Sequence, residues 1–140
     1  MKLLTEELKQ QLPPLYSQEH VEDPMVICKF YHPLSTWTWY AYEGSPVDED
    51  GYYDTDKEKV DFVFFGWVNG DFPELGYFSL SELESLNVMG LGIERDLHFT
   101  PMRLSEVKQL HAETPPSNPP TLTIIIIDDL DEEEDPNGNL

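Results

Sequence analysis

Apolar runs in the middle of the chain predict a β-sheet. Met25–Tyr31 and Thr36–Tyr42 are rich in β-branched and aromatic residues, and a loop of hairpin length separates them. Val60–Val68 is apolar at almost every position, which is typical of an interior strand covered on both faces. A turn dipeptide follows it, so Glu74–Phe78 can return antiparallel. We therefore expect a mostly antiparallel sheet, with a shorter strand over Asp96–Phe99.

Three short helices are predicted where a capping residue precedes apolar positions at helical spacing. They extend over Thr5–Leu12, Ser79–Leu86 and Ser105–His111, and the second begins with a capping box. Helices this short are not stable alone in water, so each has to pack against other elements. The sequence therefore predicts an α+β fold, a small and mostly antiparallel sheet with three short helices, followed by an acidic C-terminal tail.

The chain is strongly acidic. Its 140 residues include 8 basic and 28 acidic ones, which gives a formal net charge of −20. Residues 1–112 hold all 8 basic and 20 of the acidic residues, a net charge of −12. Because binding to phosphate backbones or anionic membranes requires a basic surface, we expect no direct nucleic-acid or membrane binding. A charged partner is expected to be a basic protein.

A proline-rich stretch divides the chain. Residues 114–120 contain four prolines, a composition that favours an extended spacer. We predict one α+β domain over residues 1–112, a linker over 113–120, and an Ile-rich strand segment with an acidic tail over 121–140.

The single cysteine, Cys28, excludes an internal disulfide. No signal-peptide pattern or bilayer-length apolar run occurs, so we expect a cytoplasmic location.

The tail holds a candidate partner-binding segment, a strand-like apolar run that acidic residues follow directly. Such a segment can add to the edge of a partner's sheet while the acids steer it towards basic surroundings. The alternative is that it pairs with its own sheet or with a second copy, giving a homo-oligomer. The candidate residues are Ile124, Ile125, Ile126, Ile127, Asp128 and Asp129.

One polar cluster has residue types that could carry chemistry. If the segment is extended, Glu94, Asp96 and His98 share one face, and carboxylates with an imidazole can bind a divalent metal or transfer protons. The alternative is structural: Arg95 pairs with a carboxylate such as Glu74, and the other side chains are solvated. We favour the structural interpretation and expect neither a bound metal nor another cofactor.

Two further segments leave alternatives open. Trp37 and Trp39 alternate onto one strand face, where they either pack in the core or form a surface for a ligand or partner. Gly44–Lys59 is polar and acidic, which is typical of either a long solvated loop or a flap-like hairpin. Aligning Gly51 with the glycine of an EF-hand loop places Lys57 at the last ligand position, so calcium binding of that type is not predicted.

Several short motifs within roughly residues 3–106 occur together in one bacterial family. The motifs are Leu12-Pro13-Pro14-Leu15-Tyr16, Lys29-Phe30, Trp37-Thr38-Trp39-Tyr40, Phe64-Phe65-Gly66, Glu74-Leu75-Gly76-Tyr77-Phe78-Ser79-Leu80-Ser81-Glu82-Leu83 and Glu94-Arg95-Asp96. They resemble domain-of-unknown-function family 2958. The resemblance implies a small single-domain protein of the kind often encoded on plasmids, phages and other mobile elements. It implies no activity and no catalytic residue.

Three functions are compatible with these observations. We predict a non-catalytic protein-interaction or regulatory module of a mobile element, because no recognised catalytic motif occurs in the sequence. One alternative is an acidic mimic of DNA that inhibits a DNA-binding defence protein. The other is a small metal-dependent enzyme using Glu74, Glu94, Asp96 and His98. The sequence does not decide whether the protein is an enzyme, and we favour the interpretation that it is not.

Overall fold

A computed structural model describes residues 1–113, which form three helices and nine strands. Met1–Leu104 make up one compact unit, and a second unit begins at Ser105. The helices are α1 (Glu6–Gln11), α2 (Leu80–Ser85) and α3 (Leu104–Glu113). The strands are β1 (Met25–Val26), β2 (Cys28–Tyr31), β3 (Thr38–Val47), β4 (Asp61–Asn69), β5 (Pro73–Ser79), β6 (Asn87–Val88), β7 (Leu91–Gly92), β8 (Glu94–Arg95) and β9 (Met102–Arg103).

Every strand pairing within residues 1–113 is antiparallel, which together with the three helices confirms the predicted α+β class. The main sheet has five strands in the order β5-β4-β3-β2-β8, so β5 and β8 are its edges. Two small ladders, β1 with β9 and β6 with β7, complete the pairing. None of the helices within residues 1–113 has the length and apolarity that crossing a bilayer requires.

The caps predicted for the first two helices are present. The Thr5 hydroxyl accepts a hydrogen bond from the amide of Leu8, at the start of α1. At the start of α2, Ser79 and Glu82 form a reciprocal capping box, in which each side chain accepts from the other residue's amide. The third helix begins at Leu104 and ends at Glu113, slightly longer than predicted. Because α3 begins at Leu104, Ser105 lies inside the helix, and the cap predicted at Ser105 is wrong. Capping signals therefore located the first two helices, and the spacing of apolar residues located the third.

Three strand predictions require correction. The run Met25–Tyr31, predicted as one strand, is divided into β1, which pairs with β9, and β2, which belongs to the main sheet. The strand predicted to end at Tyr42 continues to Val47, across an irregularity in its register between Ala41 and Glu43, so the start of the predicted acidic loop is part of β3. The strand predicted over Asp96–Phe99 is wrong. There the amide of His98 donates to the Asp96 carboxylate and the amide of Phe99 to the Asp96 carbonyl, which makes a turn.

One face of the main sheet carries the main hydrophobic cluster. Phe30 and Phe64 are fully buried with ring centroids 5.3 Å apart, and Phe78 stacks on Phe64 at 5.2 Å. The buried Leu83 of α2 belongs to the same cluster. Burial raises the pKa of the Cys28 thiol to about 12, so Cys28 is protonated and unreactive at neutral pH.

A single carboxylate organises the first part of the acidic segment after β3. Asp48 is buried, and its oxygens accept hydrogen bonds from the amides of Asp50 and Tyr52 and from the Thr55 hydroxyl. The Thr55 hydroxyl, followed by these amides, holds the pKa of Asp48 below its ordinary 3.8, because each donor favours the charged form. Asp48 is thus a structural residue, and this part of the predicted solvated loop is fixed.

Stability should therefore depend on pH through Asp48. Because its pKa is lowered on folding, the charged carboxylate stabilises the native state above its ordinary pKa, and this contribution is lost as the pH falls through the folded value. We expect urea unfolding from pH 7 to pH 2 to show a stability difference between wild type and Asp48→Asn that is constant near neutrality and shrinks below about pH 4. A difference that stays constant over the whole range would contradict this assignment.

Candidate partner-binding site

The predicted polar cluster is divided by the sheet. Glu94 and Arg95 form β8 at one edge, and Asp96 and His98 belong to the turn that follows it. Glu74 lies in β5, at the opposite edge. The expected pairing of Arg95 with Glu74 is therefore wrong, and Glu94, Asp96 and His98 do not share the face of one strand.

The carboxylates near β8 have partners of their own. The Tyr31 hydroxyl donates to Glu94 over 3.0 Å, and this bond raises the pKa of Tyr31. The ammonium group of Lys29 lies 3.6 Å from the Asp96 carboxylate. Within residues 1–113, no three His, Cys, Asp or Glu side chains are arranged to hold a metal ion. These contacts fit the structural interpretation of the cluster.

Arg95 anchors the start of the chain. Its Nη1 donates to the carbonyl oxygens of Lys2 and Leu3, over 2.5 and 2.9 Å. Leu3 and Leu4 are buried members of the core cluster. Arg95 therefore fixes the N-terminal segment whose leucines cover part of the sheet, and its partners are backbone carbonyls where the sequence suggested a carboxylate.

Replacing Arg95 with alanine should therefore reduce stability. The change removes two charge-assisted hydrogen bonds to the first residues, and we expect a loss of about 2 kcal/mol in the free energy of unfolding. Arg95→Lys keeps the charge but not the planar donors, so its free energy of unfolding should lie between those of wild type and Arg95→Ala. Urea titrations of the three proteins test this, and a wild-type midpoint for Arg95→Ala would show that the anchor is unnecessary.

A groove of about 570 Å³ lies on the core-side face of the sheet, beside edge strand β5. Because side chains alternate along a strand, Glu74 and Gly76 share the face on which Phe78 is buried. Helix α2 packs on β4 and β5, with Leu83 as its buried residue. The groove is lined by Trp37, Trp39, Val68, Glu74, Leu75, Gly76, Tyr77, Phe78, Glu82, Leu83, Ser85 and Leu86.

The two tryptophans have different roles at this groove. Trp39 is buried in the core cluster, whereas 37% of Trp37 is exposed. Their ring centroids are 5.8 Å apart, and a Cβ on Gly70 would come within 2.5 Å of the Trp37 ring. The absence of a side chain at Gly70 therefore allows Trp37 to lie across the turn. Of the two interpretations left open by the sequence, core packing describes Trp39 and an accessible surface describes Trp37.

The other face of β5 is also exposed and apolar. Leu75 is 46% and Tyr77 is 54% exposed. The Tyr77 ring lies 4.6 Å from that of Phe65 and 6.1 Å from that of Tyr16, and Tyr16 lies 5.6 Å from Tyr53. This aromatic patch, Tyr16, Tyr53, Phe65 and Tyr77, borders the same edge strand as the groove. Aromatic side chains of this kind are enriched at protein interfaces.

Strand β5 itself is open along one side. Among the described residues it pairs only with β4, in a continuous register from Val63 with Ser79 to Asn69 with Pro73. Natural edge strands are commonly short, bulged or protected by lysine. With seven residues, no lysine and Pro73 only at its first position, β5 has little of this protection. An extended segment could therefore add to it by main-chain hydrogen bonds.

Sequence reasoning found only part of this site. It considered Trp37 as a surface residue and Glu74 as a polar candidate, but it missed Leu75, Gly76 and Tyr77. Their alternation of apolar and other residues was visible, yet it did not show that their strand lies at an edge. The tail candidates, Ile124 to Ile127 with Asp128 and Asp129, lie outside the described residues and stay predictions.

Comparison of the chain with known protein families supports the resemblance that its sequence motifs indicate. None of the curated proteins and none of the solved structures compared with the chain matches it. A family model, described as a protein of unknown function (DUF2958), matches residues 3–114. These residues include β5, α2 and the motifs that carry the resemblance. The match covers most of the chain, and the protein therefore belongs to the DUF2958 family.

Proposed function

We propose that this protein is a non-catalytic interaction module that binds a basic protein partner, and that an extended segment of the partner adds to strand β5. One observation carries the proposal: β5 is an edge strand, open among the described residues, with exposed Leu75 and Tyr77. Strand addition satisfies the free main-chain groups of an edge and buries the side chains that flank it. A regulatory role on a mobile element is a finer expectation that rests on the family resemblance.

The charge of the domain supports a basic partner. Residues 1–112 carry 20 acidic and 8 basic residues. Such an excess attracts cationic surfaces and accelerates their association. The acidic tail predicted to steer a partner would act in the same direction.

Selection of peptides followed by hydrogen exchange tests this proposal. The immobilised full-length chain is used to select heptapeptides from a random display library. Amide exchange is then measured with and without the selected peptides. We expect slower exchange at the outward-facing amides of β5, because a paired strand would accept their hydrogen bonds. Protection elsewhere, or no peptide selected above a bead control, would overturn the proposal.

Exchange of the peptide-free protein distinguishes the other occupants of the edge. If the chain's own Ile124–Ile127 segment covered β5, its outward amides would already be protected at every protein concentration. If a second copy covered it, protection would increase with concentration. Either result would contradict a free edge for a partner. We expect fast exchange at these amides over the whole concentration range.

A further inference from the structure

We infer that the groove beside β5 binds an arginine or lysine side chain of the strand that adds to that edge. This inference rests on the proposed function and names the partner's side chain at the same site. A strand paired with β5 would lie about 4.8 Å from it, with every second side chain on the groove side. On that side the strand would run past Glu74, Gly76 and Phe78.

The groove combines negative charge with an aromatic surface. Glu74 and Glu82 line it together with the half-exposed indole of Trp37, and none of its lining residues is basic. A guanidinium or ammonium group can bind carboxylates by charge-assisted hydrogen bonds and can stack on an indole. Its aliphatic stem would contact the apolar lining, including Val68 and Leu86. Neither a carboxylate nor a phosphate would find a cationic partner there.

Both carboxylates have acceptor positions free for a ligand. Within residues 1–113, Glu74 is exposed, and its carboxylate forms no hydrogen bond or salt bridge. Glu82 accepts from Ser79 in the capping box, and its hydrogen bonds in this part of the chain use Oε1. Oε2 of Glu82 therefore remains for a donor from the partner. A bound cation could thus engage Glu74 and Glu82 without breaking the cap of α2.

The groove also has room for a long side chain. A Cβ added to Gly76 would have no atom within 4 Å, so the middle of the groove is unfilled. Its volume of about 570 Å³ lies within the range of sites that hold small ligands. Because Gly76 has no side chain, the surface of the groove is unobstructed at this position. Gly76 is therefore the position at which the groove can be blocked without disturbing a contact.

Charge-neutral variants of the full chain test the carboxylates. Glu74→Gln and Glu82→Gln keep the size of each side chain, and glutamine still completes a capping box. We expect each to weaken binding of the library-selected peptides about tenfold or more, as the loss of a charge-assisted hydrogen bond predicts. Glu84→Gln is the matched control, since Glu84 lies on the same helix, is exposed and does not line the groove. It should bind as wild type.

Filling the groove provides a second test. Gly76→Leu places a side chain in the unfilled space, so we expect normal thermal unfolding but loss of peptide binding. The selected peptides should also be enriched in arginine or lysine at one position. Replacing that residue by glutamine should weaken peptide binding to the wild-type protein but not to the Glu74→Gln, Glu82→Gln double variant. Wild-type binding by Gly76→Leu, or by the double variant, would overturn the inference.

The two proposals fail in different ways. If peptides protect β5 but show no basic preference, and the carboxylate variants bind normally, the groove does not take a cation and the interaction function stands. If the peptides protect no amide of β5, the proposed function itself fails. If basic peptides bind outside β5, and if Glu74→Gln and Glu84→Gln weaken their binding equally, the peptides are attracted only by the overall negative charge. That result would overturn both proposals.

Discussion

Gly66→Ala is expected to destabilise the protein by about 3 kcal/mol or more, because the added methyl group has no space. A Cβ at Gly66 would overlap the carbonyl oxygen of Tyr40 and lie 2.8 Å from its carbonyl carbon and 2.9 Å from the Cα of Ala41. These are backbone atoms of the neighbouring strand β3, which cannot move aside as a flexible side chain could. Urea unfolding of the full chain measures the change.

The glycine opposite provides the control. Gly76 pairs with Gly66 across strands β4 and β5, but a Cβ there would meet nothing within 4 Å. We therefore expect Gly76→Ala to change stability by less than about 0.5 kcal/mol, or to increase it slightly. If the two alanine variants unfolded at the same urea concentration, β3 would not approach Gly66 closely enough to exclude a methyl group.

The second large effect is expected at Glu43. This buried carboxylate accepts the amide hydrogens of Tyr16 and Gln18, each over 2.8 Å. Tyr16 has a φ of 72°, a left-handed conformation that a residue with a side chain rarely adopts. Glu43 thus holds a strained turn that lies outside any regular element. Glu43→Ala would leave both amides without their acceptor, and we expect a loss of about 3 kcal/mol.

Two variants separate this role from a general effect of charge. Glu43→Gln keeps one acceptor oxygen and the shape of the side chain, so its stability should fall between wild type and Glu43→Ala. Glu19→Ala removes the same charge from an exposed position and should cost less than about 0.5 kcal/mol. Equal losses for Glu43→Ala and Glu19→Ala in urea unfolding would show that the two amides do not depend on Glu43.

The candidate site illustrates how far sequence reasoning extends. The segment Glu74–Leu83 was singled out as a motif, and its capping box and returning strand were predicted from local signals alone. The exposed Leu75 and Tyr77 were not recognised, since the same alternation occurs in strands buried on one face. Exposure of their strand depends on which other segments pair with it, and no local pattern contains that information.

By itself, the sequence determined the α+β class, the positions of the helices, the main hairpins and the negative net charge of the chain. These follow from interactions over a few residues, such as caps, turns and side-chain alternation, and from charge counting. Only the tertiary structure decided that β5 is an edge, that Arg95 binds the carbonyls of Lys2 and Leu3, and that Trp37 is exposed while Trp39 is buried. Those outcomes depend on strand order and on contacts between distant segments, because a residue's partners are set by packing across the whole sheet.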